Sequence, residues 1–419
     1  MPVRIDDLNS DGRGRGTHGN QTFLVSQALP GDVVEVAVDR ASSRTVQGRV
    51  SRWIVEGESS AHPCAHVGVC TGCPLLRATE SLEEQFKVER IRSWVPETTH
   101  VQIKELQRPS GLFSYRHYAK LVATERDGRL VFGSYVSGTH AVADNKGCPV
   151  LAPALAAALD DIRDRLEGVV LHAPGLRYVV GRLSRSTGAM IFVLVTSGDV
   201  GALRTRMAGF GHSLFVQLNR SEGNVLLSGE LQHLSGEPTI EEELLGFGHR
   251  IGPTSFFQIN PIAAEAMFRH VLNAAGSGGH CVEGYCGVGA LTLPLLERFR
   301  SVSANELNSE AVGALRARGG PRLELIPGRA EDVLPAMLQG SPEAVVLDPP
   351  RRGLGEAVAQ AVATCGASRV VLLSCDPRSL RSDLPILQKG YEVESITPFD
   401  QFPRTAHVET VTVLRHVDR

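Results

Sequence analysis

No stretch of this 419-residue chain is apolar for long enough to cross a bilayer. Its longest apolar runs, such as Met190-Ile191-Phe192-Val193-Leu194-Val195, fall far below the roughly 20 residues that a membrane helix needs. The opening residues, Met1-Pro2-Val3-Arg4-Ile5-Asp6, show no basic segment followed by an apolar core, so no secretory signal is expected. There is no internal repeat and no low-complexity tract, which sets aside solenoids and biased linkers. Charge of one sign is also lacking: 43 Lys and Arg against 46 Asp and Glu leave a formal net charge of −3. That excludes a generally polycationic nucleic-acid binder and confines any such site to a local patch. These absences predict a cytoplasmic protein in a reducing compartment, without membrane contact. The 8 cysteines are then expected to serve as metal ligands or in catalysis rather than in disulfides.

The chain is 42% hydrophobic and 21% charged, as globular proteins are, and too long for one ordinary core, so two or three domains are expected. Residues 1–56 read as a small β-barrel of the oligonucleotide-binding type. Strand-like runs at 33–38 and 46–50 are punctuated by Gly12, Gly14, Gly16, Gly19 and the Pro30-Gly31 turn. Residues 57–248 form a middle α+β region that opens on a cysteine group, with helical stretches at 80–95 and 151–166. From 249 to 419 strands and helices alternate: strands at 280–283, 301–305, 344–347 and 370–373, helices at 308–318 and 357–364. That alternation predicts a doubly wound α/β domain on a mostly parallel sheet.

Two loops of the last region carry cofactor chemistry. Glu283-Gly284-Tyr285-Cys286-Gly287-Val288-Gly289 lies between a strand and a helix, and acidic Glu306 ends the next strand, where doubly wound folds place a ribose-binding carboxylate. The glycines run G-x-x-G-x-G rather than the G-x-G-x-x-G that clamps a pyrophosphate, which favours S-adenosylmethionine over NAD. Asp348-Pro349-Pro350-Arg351 follows a third strand, where a rigid turn offers Asp348 to cofactor or base. Cys375 ends the apolar run 370–373, and a thiol at a strand end beside a cofactor pocket suggests a nucleophile, with Glu409 downstream as its partner base. Cys286 is a rival nucleophile inside the cofactor loop. An inert buried thiol is the alternative for either.

Cys64, Cys70 and Cys73 give C-x5-C-x2-C, and Cys148 in Lys146-Gly147-Cys148-Pro149 is a fourth candidate. Four thiolates suit an iron–sulfur cluster or structural zinc. Cys281 and Cys365 have no such companions and read as core residues.

Taken together these segments resemble the RNA uracil-5-methyltransferase family. The matching motifs run in order: Phe256-Phe257-Gln258-Ile259-Asn260, the 283–289 loop, Asp348-Pro349-Pro350-Arg351, Ser374-Cys375-Asp376-Pro377, and Phe402-Pro403-Arg404-Thr405-Ala406-His407-Val408-Glu409. The resemblance implies a class I fold and an S-adenosylmethionine-dependent methylation of uridine C5, with Cys375 as nucleophile and Glu409 as proton acceptor. It places Gln258, Tyr285, Glu306 and Asp348 around S-adenosylmethionine. It implies a TRAM RNA-binding domain at the amino terminus and a 4Fe-4S cluster on Cys64, Cys70, Cys73 and Cys148. Because the family's transfer-RNA branch typically lacks both, it points to 23S rRNA as the partner, with tRNA as the alternative, and to a monomer. Three departures stand out: Tyr115-Arg116-His117-Tyr118 where Tyr-Arg-Asn-Lys is frequent, Asp376 where Asn is common, and Gly284 in place of an apolar residue. A catalytically inactive RNA-binding protein of the same fold and an amino-group methyltransferase using the Asp348 loop are the competing readings.

Overall fold

The structure is a computed structural model and describes residues 2–136, 138–167, 175–198, 200–219 and 229–417. Among these residues the strands form three large sheets and one hairpin, the hairpin pairing Ile240–Leu244 with Phe247–Ile251.

The first sheet has six strands between Pro2–Arg4 and Thr45–Val55. The runs expected at 33–38 and 46–50 are the antiparallel strands Val33–Ala41 and Thr45–Val55. In space the two edge strands are Pro2–Arg4 and Asp7–Leu8, separated in sequence only by Ile5 and Asp6, so the sheet curls on itself. The close approach needs Gly16: a Cβ there would lie 1.9 Å from the Arg4 carbonyl oxygen. Val3, Ile5, Phe23, Val25, Val34 and Val46 fill the interior.

The Glu80–Arg92 helix follows, its start capped by Thr79, whose hydroxyl accepts the Leu82 N–H. Its buried face is charged as well as apolar, with Glu83 and Lys87 beside Ile91. The second sheet runs from Tyr118–Arg126 to Glu230–Ser235 in chain order; the Pro153–Leu166 helix packs on it through Leu155, Leu159 and Ile162.

The third sheet has the spatial order Leu323–Pro327, Phe299–Glu306, Gly278–Gly284, Ala344–Leu347, Arg369–Ser374, Glu409–His416, Tyr391–Phe399. Its first five strands are parallel, and the central pair Ala344–Leu347 and Arg369–Ser374 is buried on both faces, which is why 344–347 and 370–373 read as unbroken apolar runs. The doubly wound α/β expectation is borne out, with Ser309–Gly319 and Glu356–Thr364 as two of the crossover helices. The strand–helix alternation did not reveal the ending. Glu409–His416 lies antiparallel between Arg369–Ser374 and Tyr391–Phe399, with Ser374 opposite Thr410 and Phe399 opposite Glu409. Among the described residues no helix is long and apolar enough to cross a membrane.

Candidate active site

The sheet's order reverses on either side of Gly278–Gly284, and open α/β sheets bind ligands at the carboxyl ends of strands at such a point. Gly284 and Leu347 are register partners, so Tyr285 and Asp348 leave adjacent strands side by side. Gly284 has a steric reason for departing from an apolar residue: a Cβ would lie 2.7 Å from Leu347 Cδ2 and 2.9 Å from Leu334 Cδ1. Tyr285 has φ 64°, a left-handed conformation that non-glycine residues hold only when their surroundings impose it. A Cβ on Gly287 would meet nothing within 4 Å, so that turn of backbone faces open space. Glu306 fixes the loop from the next strand, accepting the Gly287 N–H at 2.9 Å and the Asn308 N–H at 2.6 Å.

Burial pushes Asp348 up to about 6 and, behind the loop, Glu283 up to about 8. Tyr285, Glu306 and Asp348 therefore lie at the carboxyl ends of three neighbouring strands, beside an open glycine turn. Gln258 stays on the loop before the Pro261–Ala275 helix, and among the described residues no hydrogen bond joins it to the other three.

The two candidate catalytic groups come together through sheet register. Ser374 and Thr410 are paired, so Cys375 and Glu409 are the next positions on neighbouring strands, although they are far apart in sequence. The half-buried Cys375 thiol is pushed up to about 12 by burial and by the carboxylates of Glu409 and Asp348, with Arg351 opposing. Glu409 is pushed up to about 8 by burial and by Asp348, and Arg351 again opposes. Thiol, carboxyl, Asp348 and guanidinium thus share one electrostatic neighbourhood. The rival Cys286 is packed into the core and its thiol is held far above the ordinary range by burial. Cys281 and Cys365 are core residues, as expected.

Beside Cys375 opens a cavity of about 240 Å³, and its lining comes from three parts of the chain. Ser10 and Asp11 come from the first sheet, Arg90 and Trp94 from the Glu80–Arg92 helix and its exit, and Arg351, Cys375, Arg378 and His407 from the third region.

The loop from Asp400 to Val408, which delivers Glu409, is held by one motif residue, Asn260, and by several residues outside the matching motifs. Lys87, fully buried, pairs with Glu83 at 2.7 Å and Asp400 at 2.6 Å, and Arg108 Nε donates to Asp400 at 2.9 Å. Glu83 also accepts the Arg404 N–H at 2.7 Å. The Tyr115 hydroxyl donates to the Pro403 carbonyl at 3.0 Å, and the Leu75 N–H donates to the Arg404 carbonyl at 3.1 Å. Asn260, the last residue of the Phe256 motif, caps its helix and donates to the Gln401 carbonyl at 3.0 Å. The sequence signal for Glu83 and Lys87 was their i,i+4 spacing, which on a surface helix would mark only a solvated pair.

Cys64, Cys70, Cys73 and Cys148 line one small cavity of about 20 Å³ with His66, whose Nε2 lies 2.6 Å from the Lys146 carbonyl oxygen and joins the two segments. The Cys64 and Cys70 sulfurs accept backbone N–H groups from His66 and Gly72, both at 3.4 Å. Burial pushes Cys70, Cys73 and Cys148 upward, and the neighbouring cysteines add to it. Four sulfurs around one cavity, with N–H donors on two of them, match the ligand set of a cluster. Yet among the described residues no three His, Cys, Asp or Glu side chains are grouped so as to hold a metal ion. The ligand types fit, and the placed geometry does not close a metal site.

Fold and glycine turn define the architecture of a class I S-adenosylmethionine-dependent methyltransferase. Residues 1–51 match the TRAM domain, and residues 338–417 match the tRNA (Uracil-5-)-methyltransferase family. The second match spans Asp348, Cys375 and Glu409. The chain is 29% identical over 449 residues to an uncharacterized RNA methyltransferase of Clostridium acetobutylicum, covering 100% of this chain and 97% of that protein. It is also 29% identical to one of Thermosynechococcus vestitus, over 99% of this chain and 97% of that protein. The crystal structure of the Pyrococcus abyssi tRNA (uracil-54, C5)-methyltransferase in complex with S-adenosyl-L-homocysteine has the same fold. It matches at TM-score 0.78 and 24% identity, covering 99% of this chain and 100% of that one.

Proposed function

We propose that this protein methylates C5 of a uridine in RNA, with Cys375 as nucleophile and Glu409 as the base that takes the C5 proton. The single observation behind this reading is the register that sets Cys375 beside Glu409, with the Asp348 carboxylate acting on both. C5 of uracil is a weak nucleophile. Addition of the Cys375 thiolate to C6 makes C5 enolate-like. S-adenosylmethionine, when bound, supplies an electrophilic methyl group. Glu409 then removes the C5 proton, and elimination breaks the C6–sulfur bond and frees the product. Arg351 is the cation that favours both ionised forms. Gln258, Tyr285, Glu306 and Asp348 hold the methyl donor. An amino-group methyltransferase would give this thiol–carboxyl pair no task.

The division into 1–56, 57–248 and 249–419 is part of the proposal, with a TRAM-like RNA-binding unit, a cysteine-bearing middle and a catalytic unit acting as a cytoplasmic monomer. For the substrate we favour 23S rRNA, on the family's association of TRAM and cysteine motifs with ribosomal targets. A tRNA enzyme that shares this fold over its whole length is the reason to keep tRNA as the second reading. We also assign Cys64, Cys70, Cys73 and Cys148 to a 4Fe-4S cluster, which requires the thiols to close around it. Protein purified without oxygen is expected to be brown and to contain iron and sulfide; one equivalent of zinc without iron would refute this. The function itself is tested by mapping 5-methyluridine in ribosomal and transfer RNA with and without the protein. Unchanged 5-methyluridine in both would overturn it.

A further inference from the structure

We propose that Arg90 anchors a backbone phosphate of the RNA strand whose uridine enters the cavity beside Cys375. This rests on the RNA-methylation reading above and adds a binding residue that none of the family motifs contains. Five charged side chains besides the thiol line that cavity: Asp11, Arg90, Arg351, Asp376 and Arg378. Asp376 and Arg378 neutralise each other, with Arg378 Nε donating to both Asp376 oxygens at 3.0 and 2.9 Å. Asp11 is paired with Arg13 at 3.1 Å. Arg351 acts on Cys375 and Glu409.

Arg90 is left over. Its Nε and Nη1 atoms are buried without a hydrogen-bond partner. Arg108, Arg163 and Arg404 each carry one such atom, but only Arg90 carries two and also lines this cavity, where a ligand can complete the bonding. Burial also lowers this guanidinium's pKa, an effect that an anion would reverse.

The fold aims Arg90 at this point. Glu83, Lys87, Arg90 and Trp94 follow one another at spacings of four, three and four, so the side chains share one helix face. Glu83 and Lys87 clamp that face against the loop carrying Glu409, and the clamp sets how deep Arg90 reaches. In a planar guanidinium Nη2 forms a parallel fork with Nε on one side and with Nη1 on the other, so either unpartnered atom together with Nη2 matches a phosphodiester's paired oxygens. The cavity wall opposite comes from Ser10 and Asp11 in the TRAM domain. Arg90 would thus hold the strand between the RNA-binding unit and the thiol.

The test uses the full-length protein and an oligouridylate of about 12 nucleotides, which needs no knowledge of the natural target. Occupancy is read as protection of Cys375 from iodoacetamide. Wild-type protein should be protected, with a log-log dependence on salt. In Arg90→Ala protection should weaken about tenfold and the salt slope should shrink by about 0.7, the share of one single-strand phosphate. Arg90→Lys should keep the slope. S-adenosylhomocysteine binding should be unchanged in both, which separates the effect from misfolding. As a second measurement, an oligouridylate carrying neutral methylphosphonates should lose affinity for wild-type protein and lose less for Arg90→Ala. Equal protection and slope in wild type and Arg90→Ala, no protection of wild type at all, or the same methylphosphonate penalty in both proteins would each overturn the proposal. A protein that makes no 5-methyluridine yet shows the Arg90-dependent protection would retain this inference and lose the reading of its activity.

Discussion

Cys375 and Glu409 carry the strongest expectations at the residue scale. Removing the thiol by Cys375→Ala should abolish 5-methyluridine formation, read by nucleoside analysis of treated RNA. Glu409→Gln should have a different signature, because addition and methyl transfer precede proton removal. Protein–RNA adduct should accumulate and survive denaturing electrophoresis; free RNA without adduct would deny Glu409 its role. The pH dependence follows from the same pair. Glu409 must be ionised to accept a proton, and its carboxyl titrates at about 8, with Cys375 higher still at about 12. Single-turnover rates should therefore climb from pH 6 through 9. Arg351→Gln should shift the climb upward, since that guanidinium lowers both groups. A rate that falls between pH 6 and 8 would contradict this assignment.

Among the elements, the Glu80–Arg92 helix does what its sequence conceals. A pattern of Glu, Glu, Lys, Glu, Arg reads as a solvated helix. The structure instead buries Glu83 and Lys87 completely and turns them into the support of the loop before Glu409. Lys87→Met removes one cation from a buried cluster in which Arg108 still pairs with Asp400 and the Arg404 N–H still bonds Glu83, so it should cost about 3 kcal/mol in denaturant unfolding, the low end for a broken buried pair. Restoring neutrality with a Lys87→Met, Asp400→Asn double variant should recover part of it. The glycine loop was more legible. Its position between strand and helix suggested a cofactor turn, and the structure adds why position 284 lacks a side chain: Leu347 and Leu334 already occupy the space. The final two strands were not legible, because strand–helix alternation cannot show that a later strand slips between two earlier ones. The closeness of Cys375 to Glu409 thus came from motif resemblance in the sequence and from register in the structure.

For the whole molecule, the division of labour along the sequence does not survive as a division in space. The first sheet, the cysteine segment and the catalytic sheet converge on residues 400–408: a Cβ on Gly12 would lie 3.3 Å from Leu75 and 3.4 Å from Ala406. Stability should carry the mark of the buried carboxyls. Glu283 and Glu409 are pushed up to about 8 and Asp348 to about 6. Acids with raised folded-state values contribute most below their unfolded value, near 4.5 for Glu, and lose that contribution as pH rises through the folded value. Thermal midpoints should therefore decline between pH 6 and 9, and Glu409→Gln should flatten the decline.

The strand Glu409–His416 has one more consequence, which concerns protein synthesis rather than chemistry. It fills a gap between Arg369–Ser374 and Tyr391–Phe399, both of which leave the ribosome before it. A chain terminated ahead of residue 409 has Cys375 and the glycine turn in its sequence but lacks Glu409 and the buried Val411, Val413 and Leu414. The two neighbouring strands therefore stay unjoined, and the sheet incomplete, until the last residues have been made.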